Sequence, residues 1–310
     1  MKKLYPLLLL FVSSICFGQQ YHNFSLNQEN QFVFNPAVAG TDEYFDIGAS
    51  FRKQWFNIDQ APYSVYMGAE SPIKYQDIGL GGFIIQDATG PISQTAFNFS
   101  FAYHIDFGRG YKTQTQDIRL DKSLLSFGFG LNLVQYRLDG TKIELDDETD
   151  ELFLNKRGAR FNPDINFGIY YKSKWVYAGI SVPQLLGLNI NMSENGREVN
   201  IKKGQHLYAQ VGVRIPITTD HTWFLEPSVW FKTSFQAPHQ GDINIRVEKQ
   251  DIAWLGVGYR TRQNLSFQGG FWINKAFNIG YAYDLPISIY RPDLGQTHEI
   301  YLGYRFIPNF

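Results

Sequence analysis

Short stretches in which apolar and polar residues alternate recur along this chain, and that period of two limits what it can fold into. In Thr95–Ile105 the odd positions Phe97, Phe99, Phe101, Tyr103 and Ile105 are apolar. The positions between them, Asn98, Ser100, Ala102 and His104, are small or polar. Successive side chains of a strand point to opposite faces, so such a segment has one greasy face and one wet face. Many such strands behind a secretion signal describe a transmembrane β-barrel.

The amino terminus reads as a signal peptide over residues 1–18. Lys2 and Lys3 supply the positive region, Leu4–Ile15 the apolar core, and Gly18 a small residue at the cleavage point. Cys16 is the only cysteine, and Ile15 before it is too bulky for a lipid-attachment box. Cleavage after Gly18 leaves no disulfide framework and no thiol nucleophile. No later segment has the 18 or so unbroken apolar residues of a spanning helix, so any crossing must use strands. The mean hydropathy of −0.26 is too low for a helical membrane protein and ordinary for a barrel with a polar lumen. The 26 Phe and 19 Tyr suit interfacial girdles, although an aromatic-rich soluble β-sandwich shares that composition. A net charge of −1 argues against a nucleic-acid partner.

Residues 19–43 are polar and lack the alternation, and are expected as a periplasmic lead-in. Residues 44–310 are expected as an all-β, antiparallel transmembrane barrel of about 14 strands, within a range of about 12 to 16. The strands begin with Phe45–Phe51, continue through a weaker Tyr63–Pro72 and a glycine-rich Ile78–Asp87, and close with Ile300–Phe306. Strand one is taken to run outward. The connections Leu138–Arg160, Leu185–Lys203, Gln236–Gly241 and Pro286–Gln296 then fall outside, and Ile73–Asp77, Lys172–Lys174, Pro216–Asp220 and Asn274–Ala276 inside. Long outside and short inside is the barrel rule, which Phe107–Leu120 and Arg262–Asn264 break.

Polar lumen positions collect Asp46, Arg52, His104, Arg214, Arg246, Glu248, Asp284 and Arg305. These residues either line a solute channel or pair with one another in a filled interior, and the second reading is favoured because buried charges need partners. Lumen glycines such as Gly48, Gly128 and Gly303 leave room for an inserted segment. The acidic run Asp146, Asp147, Glu148, Asp150 and Glu151 lacks the ligand spacing of a calcium loop and reads as a solvated face. The six histidines have no metal-ligand spacing, and no nucleophile elbow or phosphate loop is present. No catalytic residue, metal or cofactor is expected. An active site assembled from separate strands, for which His104 and Asp46 are the lumen candidates, is the weakest reading.

Phe34-Asn35-Pro36-Ala37-Val38-Ala39-Gly40, then Phe51-Arg52-Lys53-Gln54-Trp55 and Ala61-Pro62, resemble the start of the PorP/SprF family of type IX secretion in the Bacteroidetes. Further matches lie in Gly79–Pro91, Phe161-Asn162-Pro163-Asp164, Gly179–Pro183, Tyr281-Ala282-Tyr283-Asp284 and His298–Tyr304. The resemblance implies an outer-membrane, non-enzymatic component of protein export, surface attachment or gliding motility. It implies association with periplasmic ring, lipoprotein and translocon components and with the C-terminal domain of an exported adhesin. The family has no catalytic residues to carry over. Partner contacts are expected at Asn35, Pro36, Gly40, Arg52, Trp55 and Asp87; Asn35–Gly40 can either reach a periplasmic partner or tuck into the lumen, and Trp55 also suits an interfacial girdle. The alternative function is a channel for small or hydrophobic solutes on a similar barrel.

Overall fold

The computed structural model describes residues 22–73, 77–107, 123–139, 157–188, 190–194, 197–201, 204–234, 237–261, 263–287 and 295–306. Its first seven strands are β1 (Phe45–Lys53), β2 (Tyr63–Ile73), β3 (Ile78–Thr89), β4 (Ile92–Asp106), β5 (Leu124–Asp139), β6 (Arg157–Lys172) and β7 (Val176–Val182). A hairpin follows, β8 (Ile190–Glu194) and β9 (Arg197–Ile201), and pairs only with itself. The rest are β10 (His206–Val213), β11 (Ile215–Pro216), β12 (Trp223–Ser234), β13 (Ala237–Lys249), β14 (Ala253–Arg260), β15 (Asn264–Ile273), β16 (Phe277–Pro286) and β17 (Thr297–Phe306).

Every neighbouring pair is antiparallel. Strand β1 bonds β17, and β10 bonds both β7 and β12, so the sheet closes on itself. The two-residue β11 continues β10 along β12, leaving a closed barrel of 14 strands. Closure leaves no sheet edge to be solvated, the condition a β-structure must meet inside lipid.

The alternation sorts as the period of two requires. On β4, Phe97, Phe99, Phe101 and Tyr103 are outward and exposed, while Ala96, Asn98, Ser100, Ala102 and His104 are buried inside. The same outward belt carries Leu131, Ile243, Leu255, Phe267 and Leu302. An apolar band of this extent belongs against hydrocarbon, since soluble surfaces rarely expose contiguous greasy patches of more than a few hundred Å². Ten residues rising about 3.3 Å each, tilted by about 40°, span an apolar band of about 25 Å.

The residue 19–43 segment, expected to stand in the periplasm, departs from that expectation over residues 22–41. These residues thread through the lumen from one mouth to the other. His22 meets Asp87 at the far end of β3, and Asp42 meets Lys172 beside the start of β1. Between them lie one helical turn, α1 (Gln31–Phe34), and a 3-10 turn over Pro36–Val38. The reason is apolar content. Phe24, Leu26, Phe32, Val33, Phe34 and Val38 are buried, and only the lumen offers them cover.

The mouth where β1 begins carries the short connections 73–78, 173–175 and 274–276, with the long 107–123 as its exception. The other mouth carries 54–62, 140–156, 183–205 and 287–296, with 90–91, 235–236 and 261–263 as its short connections. The expected outer connection Gln236–Gly241 is instead mostly strand, because β13 begins at Ala237 and pairs β12 from Ser234 onward. The acidic run Asp146–Glu151, much of the connection Phe107–Leu120 and the final Phe310 lie outside the described residues.

Candidate functional site

The wall is cut to fit the plug. A Cβ on Gly128 would sit 2.1 Å from Ala37 N, one on Gly168 2.0 Å from Asn35 Oδ1, and one on Gly79 2.0 Å from Ala39 O. Asn35 caps the 3-10 turn, accepting from Ala37 N at 2.9 Å, and its Nδ2 donates to the β6 carbonyl of Ile169 at 3.1 Å. Pro36 fills the first position of that turn, where a missing N–H costs nothing. Gly40 takes φ +69 with its Cα pressed on Gly79, a place no side chain fits. Phe34 is ringed by Phe24, Tyr208 and Trp230 at 5.2–6.1 Å, and Phe32 meets Phe83 edge-on at 5.4 Å.

Polar contacts hold the plug at three levels. At the long-loop mouth Asp87 takes His22 and Ser64, and Gln94 Nε2 donates to it at 3.2 Å. Below this, Arg52 bridges Asp284 at 2.7 Å and Glu299 at 2.9 Å, with all three side chains buried. The plug completes that group: Ser25 N donates to Glu299 at 2.6 Å, and Ser25 Oγ donates to Asp284 at 2.7 Å. Beside it Arg260 forks onto Asp242 through two 3.1 Å contacts and donates to Phe24 O at 2.8 Å. Lys232 also holds Asp242 and reaches Asn23. Nearer the short-turn mouth, Arg246 pairs with Glu29 of the plug at 2.7 Å and with Glu248 at 3.1 Å, while Arg214 takes Glu226 and Glu248.

The expected lumen residues therefore fall into separate groups. Arg52 joins Asp284, and Arg214 joins Arg246 and Glu248. His104 bonds Ser126 within the wall, and Arg305 stands at the short-turn mouth on Asp251 at 2.5 Å, stacked 3.8 Å from Trp272. Among the described residues Asp46 has no ion-pair or hydrogen-bond partner. Sequence reading missed Glu226, Lys232, Asp242, Arg260 and Glu299, all on lumen-facing positions of their strands. Asn35, Pro36, Gly40, Arg52 and Asp87, expected as partner contacts, stand instead between plug and wall, where the plug itself is their partner. Trp55 lies past the end of β1 with φ +49, and its N–H donates to Thr297 Oγ1.

Below the plug the lumen opens into a cup at the short-turn mouth, in two lobes of about 480 Å³ and about 330 Å³. Plug residues Glu29, Gln31 and Phe32 form part of its lining, and Tyr44, Trp175 and Trp272 are among its aromatics. At its rim partial burial pushes the Asp42 carboxyl up. The Lys172 ammonium 2.5 Å away outweighs this and holds it below the ordinary carboxylate value. Among the described residues no group of three or more His, Cys, Asp or Glu is placed to hold a metal ion.

The sequence profile described as "Type IX secretion system membrane protein PorP/SprF" matches residues 16–304. The chain belongs to the PorP/SprF family. It is thus an outer-membrane β-barrel component of type IX secretion. None of the curated proteins matches the sequence. Among solved structures it is similar to the CymD monoaromatic hydrocarbon channel, at 11% identity and TM-score 0.54, over 91% of this chain and 94% of that one. It is more distantly similar to Omp33 of Acinetobacter baumannii, at 6% identity and TM-score 0.43, over 86% and 100% of the two chains. A third match is the KdgM porin, at 8% identity and TM-score 0.40, over 84% and 99%. At these identities the likeness to CymD speaks for the barrel fold and not for what passes through it.

Proposed function

We propose that this PorP/SprF barrel serves type IX secretion as a closed platform that binds other proteins, and not as a conduit or an enzyme. The observation that carries the reading is the plug. Residues 22–41 occupy the lumen with buried aromatics and paired charges, so exchange with other molecules is left to the two mouths. The face with the longer connections is taken as the outer one, following the loop asymmetry of outer-membrane barrels. It is the natural dock for the C-terminal domain of an exported surface adhesin, including those used in gliding. The short-turn face then meets the periplasmic ring, lipoprotein and translocon components. Lipid contacts only the outward apolar belt.

The test is purification of the tagged protein from outer membranes in mild detergent, with identification of what comes with it. Machine components and an exported adhesin should co-purify, and replacing residues 140–156 by a short glycine-serine turn should lose the adhesin alone. Deletion of the gene with every surface adhesin still exported and retained would sink the proposal.

A further inference from the structure

The cup at the short-turn mouth contains acceptors with nothing to accept from. Asp46 on β1 and Glu70 on β2 are direct cross-strand partners on the lumen face. Like charges in that relation repel, with Cβ atoms about 5 Å apart. Lys172 is taken by Asp42, Arg246 by Glu29 and Glu248, and Arg305 by Asp251. Asp46 is left unpaired among the described residues, and Glu70 accepts only the Gly40 N–H at 3.2 Å. Two further acceptors line the same cup and are buried without a partner: Asn278 Oδ1, in a residue 5% exposed, and Thr41 Oγ1, in a residue 7% exposed. Buried polar atoms in native folds almost always have partners, so Asn278 Oδ1 and Thr41 Oγ1, beside the half-exposed carboxylates of Asp46 and Glu70, call for a partner from elsewhere.

We propose that the cup is a receptor for a cationic side chain, an arginine carried on an extended segment of a partner polypeptide. A guanidinium offers five N–H donors in a planar fork and no acceptor, which matches the open acceptors of Asp46, Glu70 and Asn278. It also stacks on aromatic faces, and the cup already holds Arg305 in that way against Trp272. Among the described residues the carboxylates do not converge into a metal-binding group, so the site suits a bulky cation better than a bare ion. The plug closes the cup from above, so the segment enters and leaves by one mouth. The proposal rests on the platform reading for where the partner sits, but binding of a peptide to the purified barrel tests the cup alone.

The measurement is calorimetric titration of the full-length protein in detergent with a blocked Gly-Arg-Gly-Arg-Gly peptide and its glutamate counterpart. Saturable binding of the arginine peptide is expected, weakening with added salt, with none for the glutamate peptide. Asp46→Asn with Glu70→Gln should weaken it about tenfold. A Tyr44→Cys variant, at a half-buried position that lines both lobes, should lose maleimide reactivity while the arginine peptide is bound, which places the peptide in the cup. Equal binding of both peptides, unchanged affinity in a double variant that keeps its heat-modifiable gel mobility, or an unshielded Cys at 44 would each overturn the proposal. A positive titration beside a failed adhesin pull-down would count against the platform reading and leave the cup standing.

Discussion

Arg52 shows how a lumen charge can be tolerated at the depth of a membrane. The residue is 2% exposed, yet its contacts with Asp284, Glu299 and Ser25 use donors on both terminal nitrogens. The cost of desolvating such a group is met only by good geometry on every side. Arg52→Met would leave Asp284 and Glu299 buried together without that cation. The expected loss is about 3–5 kcal/mol of unfolding free energy, read from the urea midpoint in detergent. A loss under about 1 kcal/mol would mean that the group is hydrated and not sealed by the plug. Neither Ser25 nor Glu299 could be matched to Arg52 from the sequence. Ser25 lies in a stretch that reads as a tail, and Glu299 is 247 positions away from Arg52.

At the scale of elements, the strands and the plug were not equally legible. The strands announce themselves because burial on one face repeats every second residue, a local property. About 14 strands, within a range of about 12 to 16, were expected, and fourteen close the barrel. Even so, some ends moved, as in β4, which runs Ile92–Asp106 where alternation marked Thr95–Ile105. The plug has no such period. Its apolar residues, Phe24, Leu26, Phe32, Val33 and Phe34, are spaced to suit a cavity shaped by other parts of the chain. The hints were the position of Asn35–Gly40 just before the first strand and the run of small lumen residues, of which Gly128 is the clearest. Gly128→Val sets side-chain atoms where the backbone of Ala37 lies, while the strand itself accepts valine readily. The barrel should keep its heat-modifiable mobility, and residues 22–41 should become cleavable by added protease under conditions where the parent resists. Resistance equal to the parent would show that the plug can reseat without the glycine.

For the whole molecule, the filled lumen separates platform from pore. The purified parent protein should show no steady open state in planar bilayers, and a stable conductance would favour the solute channel instead. What the sequence by itself determined was which side chains face lipid and which face inward, and with that the compartment and the strand count. The reason is that alternation is written between neighbours. The tertiary structure alone decided which inward charges meet, that the amino-terminal segment fills the space between them, and that a half-open acidic cup remains at one mouth. Those outcomes depend on closing the sheet, which brings Ser25 to Glu299 across 274 positions, and no local pattern encodes a distance of that kind.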